Sequence, residues 1–324
     1  MKKFYLLFFI FSVGFAVVNA QDDASSSKDW KIKGINQLNF NQISFSNWQA
    51  GGTPSISLGA LTKWYANYKK DKISWDNNIN LLFGVYKEKG ERLKKSDDLI
   101  DLNSIFGYKA AGKWEYSVLF NFRSQFAEGV DSDYDTIKVS NFMAPGYLTL
   151  SPAMRWRPND WFYILVSPAT VKSTFVMDQD LANIGAFGVD PAEIDTVTGQ
   201  VISEGSNINF RVGAFAEVYF GKEVVKGLSI ESKINAFYSY NNREGLEAFD
   251  ADINWENFVN YNFNDWIAMS LFVHFVYFPG QPPVDIALVD GIPQIESGPS
   301  RQGQIKQTFG IGLTYNFANF VEEE

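Results

Sequence analysis

Residues 304–317 read Gln-Ile-Lys-Gln-Thr-Phe-Gly-Ile-Gly-Leu-Thr-Tyr-Asn-Phe. Ile305, Phe309, Ile311, Leu313, Tyr315 and Phe317 share one parity, interrupted by Gln307. Gln304, Lys306, Thr308, Gly310, Gly312, Thr314 and Asn316 share the other. A period of two predicts a β-strand with one apolar and one polar face. A strand at this end of the chain is placed to close a barrel against the first strand. Alternation alone does not say whether the apolar face meets lipid or a soluble core. The remaining segments decide.

Period-two segments recur at about 30–46, 53–69, 72–87, 97–109, 113–127, 139–156, 161–176, 206–221, 227–241, 251–263, 265–278 and 303–318. In the fifth, Trp114, Tyr116, Val118, Phe120, Phe122 and Phe126 oppose Lys113, Glu115, Ser117, Asn121, Arg123 and Gln125. The eleventh, around Leu271 to Phe278, is apolar on both parities and fits least well. The connections alternate short and long, with 47–52 the exception. Bacterial outer-membrane barrels sort their loops in this way, with short periplasmic turns and long outer loops. Trp30, Trp75, Trp114, Trp156, Trp161 and Trp266 fall near the short-turn ends, where an indole suits the lipid–water interface. Lys and Arg gather on the short-turn side, and Asp and Glu in the long loops. The expected fold is all-β: a closed antiparallel transmembrane β-barrel of about twelve strands.

The chain has 324 residues, no Cys, one His and a formal charge of −9. Residues 1–20 read as a secretory signal, with Lys2 and Lys3, an apolar run, and Val18-Asn19-Ala20 as the cleavage site. Residues 21–29 form a short polar lead, 30–320 the barrel and 321–324 an acidic tail. Without Cys there is neither a disulfide framework nor a lipoprotein anchor. No later run approaches the roughly 20 apolar residues of a spanning helix. The expected location is therefore the outer membrane of a Gram-negative bacterium. Expected partners are outer-membrane lipid and, for insertion, periplasmic chaperones and barrel-assembly machinery. The acidic loops would repel nucleic acid.

Several short motifs stand in a particular order: Asn47-Trp-Gln-Ala-Gly-Gly52, Lys95-Ser-Asp-Asp98, Ser124-Gln-Phe126, Ala144-Pro-Gly-Tyr-Leu148, Ser167-Pro168, Asp178 with Leu181, and Arg301-Gln302 with Lys306. In this order they resemble the Bacteroidetes outer-membrane family called domain of unknown function 3078. The resemblance spans most of the chain and implies an outer-membrane protein. It implies no reaction. Gln307 departs from the Glu usual after the Lys in such closing strands.

No enzyme is expected. His274 is followed by Phe275 and Val276, so a His-x-Ser pair on one strand face is absent, and no serine elbow or zinc spacing occurs. Asp101, Glu115, Arg123, Arg211, Glu217, Glu231, Lys233 and Lys306 are expected to line the lumen as an ion-paired surface. Gly59, Gly107, Gly213, Gly310 and Gly312 are expected to open space there. Asp131, Asp133 and Asp135 are the candidate metal ligands, for surface Ca²⁺ or Mg²⁺, with Asp178 and Asp180 nearby. They do not make an EF-hand, because Thr136 and Phe142 stand where Gly and Glu belong. No other cofactor is expected. The leading function is a narrow pore or solute-handling barrel for a small polar solute. Its rivals are a plugged structural or partner-binding barrel, and a lipid- or glycan-modifying enzyme.

Overall fold

The computed structural model describes residues 29–43, 54–130, 137–195, 198, 200–241, 250–279, 286–289, 292–295 and 303–320. Twelve strands form the wall: β1 (Trp30–Ile43), β2 (Ser55–Lys70), β3 (Ile73–Glu88), β4 (Lys94–Ala111), β5 (Trp114–Ser124) and β6 (Gly146–Asn159) make the first half. The second half is β7 (Phe162–Phe175), β8 (Ile208–Val225), β9 (Leu228–Ser239), β10 (Asp252–Asn262), β11 (Ile267–Tyr277) and β12 (Gln304–Ala318). Each pairs antiparallel with its sequence neighbours. β12 pairs with β1 from Lys33↔Ala318 to Asn39↔Gly312 and closes the barrel. The signal, the acidic tail and most of the polar lead lie outside the described residues.

The outward parity carries the apolar side chains. Ile79, Val118, Phe309, Ile311 and Leu313 are all exposed, while the inward parity is mostly buried. No helix among the described residues is long and apolar enough to cross a membrane. A closed barrel satisfies every ladder group internally, so it crosses lipid with strands. An apolar exterior around a polar, charged interior is the arrangement of an outer-membrane barrel. At the short-turn end Trp30 lies 5.9 Å from Trp75, Trp161 packs on Phe220 at 5.6 Å, and Trp114 pairs with Trp156. These turns are tight; Gly112 and Gly227 take the positive φ that a two-residue hairpin requires.

One strand starts later than the sequence pattern predicts. The sixth segment was expected from 139, yet β6 begins at Gly146. Lys138–Ser140 pairs instead with Gly129–Val130, and an Asn141–Ala144 bridge follows. Pro145 has no N–H to give a ladder there, and the chain turns before entering the wall. The long 176–207 connection is folded as well. A one-turn helix (Gln179–Asn183) and a 3₁₀ turn (Ala186–Gly188) enclose a small core of Ala144, Val176, Leu181, Ala182, Ala186 and Val189.

Candidate functional site

The lumen is built in layers, and most of its polar contacts join strands that are not neighbours in the wall. At the short-turn mouth, Asp160 between β6 and β7 meets Lys69 at 2.8 Å, Arg157 at 3.4 Å and Lys31 at 3.9 Å. Partial burial opposes its ionisation, but these cations hold its carboxyl below the ordinary range. The next layer centres on the fully buried Arg155. Its guanidinium reaches Asp76 at 2.6 Å, Glu115 at 2.5 Å and Ser74 at 2.8 Å.

Above it, Lys63 of β2 bonds Glu231 of β9 at 3.0 Å, and the Tyr65 hydroxyl donates to the same carboxylate. Tyr163 donates to Glu217 at 2.7 Å. Further up, Lys233 sits between Asp101 (3.5 Å) and Glu256 (3.2 Å). Arg123 of β5 crosses to Glu256 of β10 at 2.5 Å and faces His274 Nδ1 at 3.5 Å. His274 Nε2 lies 2.6 Å from Asn254 Oδ1. Lys172 and Arg211 share Asp252 at 2.6 and 2.7 Å. Lys306 of β12 crosses to Asp97 of β4 at 2.8 Å. Thus all eight lumen candidates face the interior in opposite-charge or hydrogen-bonded partnerships. Breaking a buried pair leaves an uncompensated charge, so each layer holds its register.

The sequence pattern missed the apolar half of this lining. Leu61, Leu82, Leu99, Phe258 and Phe272 form one buried cluster with Ile35, drawn from both sides of the lumen. Ile105, Leu119, Leu165, Phe215 and Phe237 form a second. Between Lys63, Asn80 and the first cluster no space remains for a water-sized sphere. The signal was present as apolar residues on the inward parity: Leu82 between Leu81 and Phe83, Leu119 between Val118 and Phe120, and Phe272 in the doubly apolar eleventh segment.

The glycines correct a second expectation. A Cβ on Gly107 would lie 2.5 Å from Ser74 Oγ, on Gly213 2.1 Å from the Tyr238 carbonyl oxygen, and on Gly312 2.1 Å from that of Leu38. Gly310 meets Asn39 Nδ2 at 2.6 Å. These positions admit a close neighbour instead of opening space. Gly59 alone of the five has its nearest neighbour as far as 4.0 Å.

Towards the long loops the lumen widens into a vestibule of about 200 Å³. Asp98, Arg123, Gln125, Tyr147, His274 and Lys306 supply its polar lining, and Leu82, Leu99 and Phe272 its apolar floor. Gln125 is fixed by bonds to the carbonyls of Asn141 (2.8 Å) and Ala144 (3.1 Å). Asp98 accepts from the backbone of Phe126 (2.6 Å) and Ala127 (3.0 Å) and pairs with Lys95.

The candidate metal ligands Asp131, Asp133 and Asp135 lie outside the described residues. Asp178 is engaged by Lys138 at 2.6 Å and Asn141 at 3.2 Å, and caps the short helix at Leu181. Partial burial opposes its ionisation, but these donors keep its carboxyl below the usual range. Asp180 also meets Lys138, at 3.3 Å. Among the described residues no three metal-ligating side chains converge.

Residues 40–130 match the family model described as Protein of unknown function (DUF3078). No curated protein matches this sequence. Among solved structures, the chain is similar to an outer membrane channel from Pseudomonas putida F1 (12% identity, TM-score 0.37, covering 92% of this chain and 98% of that one). It is similar also to the translocator domain of autotransporter NalP from Neisseria meningitidis (10%, 0.33, 93% and 92%). A third is the Pseudomonas putida toluene transporter TodX (10%, 0.26, 91% and 90%).

Proposed function

We propose that this chain is a solute-handling outer-membrane barrel, closed to free diffusion, that takes a small polar solute at its outer vestibule. One observation carries the reading: side chains from opposite walls meet across the lumen below that vestibule. Barrels of about eight strands are filled by their own side chains, and those of sixteen or more enclose a channel. Twelve strands leave the outcome to the lining, and here long ion pairs and two apolar clusters occupy the bore. The vestibule adds a concave surface with donors and acceptors above an apolar floor, the usual make-up of a small-molecule site. The chain reaches its membrane through periplasmic chaperones and the barrel-assembly machinery, and it carries out no reaction of its own.

The test is thermal stability in detergent against a panel of amino acids, small carboxylates and sugars. One class should raise the melting temperature of the wild type, and Tyr147→Phe with Lys306→Gln should abolish the rise. If no compound of any class moves the transition, the vestibule is not a solute site.

A second reading, a slow conducting path, is favoured by one sector of the lumen. Among the described residues, Gln37 Oε1, Asn39 Oδ1, Asn78 Oδ1 and Asn80 Oδ1, buried on β1 and β3, have no protein partner, beside the open position at Gly59. Buried polar atoms of this kind are commonly satisfied by water.

A further inference from the structure

β6 and β7 carry the same short motif, Ser151-Pro152-Ala153 and Ser167-Pro168-Ala169. Proline cannot donate to a ladder. The β6–β7 register breaks between Leu150↔Val171 and Met154↔Val166. The β7–β8 register shifts between Thr170↔Gly213 and Ser167↔Phe215. Both interruptions fall at one place, so the pairing of β7 shifts register against both neighbours there.

On the inner side, side chains replace the missing ladder bonds. The Ser151 and Thr170 hydroxyls meet at 2.6 Å, and Ser167 donates to the Pro152 carbonyl at 2.6 Å. The outer side faces hydrocarbon, where an unsatisfied carbonyl costs several kcal/mol. There Tyr240, just past the end of β9, reaches over β8 and donates its hydroxyl to the Pro168 carbonyl at 2.9 Å. Beside this strap the wall is reduced to small residues, and a cavity of about 440 Å³ remains. Val166, Pro168, Ala214, Ala216, Ala236 and Tyr238 wall it. Its volume falls within the roughly 300–1,000 Å³ of ligand pockets.

The chemistry of the lining selects the occupant. The lining surface is almost wholly apolar, and the nearby Tyr240 hydroxyl is already bonded. Among the described residues no side-chain charge lines the cavity. Val166, which lines it, is exposed on the outward face, so the cavity is continuous with the lipid-facing belt. We propose that this cavity is a lipid site that holds one acyl chain of a membrane phospholipid and retains it longer than the lipid elsewhere on the wall.

The test uses the full barrel, extracted in mild detergent and incubated with phosphatidylethanolamine, with native mass spectrometry as the readout. The wild type should retain one lipid per barrel. Ala214→Phe combined with Ala236→Phe should lower that occupancy at least tenfold, whereas Leu58→Phe, outward on β2 across the barrel, should leave it unchanged. Where the filled variant does not fold, wild-type protein in vesicles containing a diazirine-acyl phosphatidylethanolamine gives the same answer. Cross-links should concentrate at 166–168, 214–216 and 236–238. Equal retention in the filled variant, cross-links spread evenly around the belt, or lipid-free dimers joined through this face would overturn the proposal.

Discussion

The two faces of the wall obey different rules. Outward residues such as Val118, Phe309 and Ile311 answer to one uniform solvent, hydrocarbon, and any apolar side chain satisfies it. Inward residues answer to particular partners on the far wall. Arg123 needs Glu256, 133 positions away, and Lys63 needs Glu231, 168 away. A face in contact with a solvent tolerates exchange of like for like, whereas a face in contact with itself does not.

Four substitutions or conditions sharpen this contrast. The largest effect belongs to Arg155, whose loss would strand Glu115 and leave Asp76 to Arg157. Arg155→Met should destabilise the barrel by about 3–5 kcal/mol, as removal of one partner of a buried network does, in a reversible denaturant titration. A loss within about 1 kcal/mol of zero would mean that water reaches this layer freely. Next comes the outer face: Val118→Arg should cost about 2–4 kcal/mol near the bilayer midplane. Equal tolerance of Arg at Val118 and at an inward site would contradict the assignment of faces.

A smaller effect is expected at Lys306, whose side chain is 46% exposed in the vestibule although it pairs with Asp97. Lys306→Gln should cost about 0–1 kcal/mol, the range of solvated pairs. The smallest concerns pH at the short-turn mouth. The Asp160 carboxyl is held below its ordinary value by Lys69, Arg157 and Lys31, against the effect of partial burial. Its stabilising contribution is therefore present above the unfolded carboxylate pKa of about 3.9, and is lost as pH falls through the lower folded value. The melting temperature of Asp160→Asn should drop less than that of the wild type on acidification below about pH 4.

The same contrast explains what the sequence discloses. Strand number, the closing pair and the short-turn Trp belt follow from parity and spacing, which are local. The candidates from Asp101 to Lys306 follow from parity too, because charge on the inward face has nowhere else to go. The filling of the bore does not follow. Leu82 and Leu99 look like irregularities in alternation until β10 and β11 bring Phe258 and Phe272 against them. The glycines mislead for a related reason. A missing side chain predicts space, but Gly107, Gly213, Gly310 and Gly312 each accept a neighbour already there. The late start of β6 depends on how Asn141–Ala144 turns before Pro145, which periodicity does not encode.

The closed bore is the central claim, and current through a planar bilayer tests it most directly. Wild-type protein should be electrically silent at moderate voltage. A Leu82→Ala, Leu99→Ala, Phe272→Ala variant removes the floor of the vestibule and should show discrete conductance steps, larger again when Arg123→Ala is added. Steady ohmic conductance in the wild type, left unchanged by those substitutions, would contradict the account.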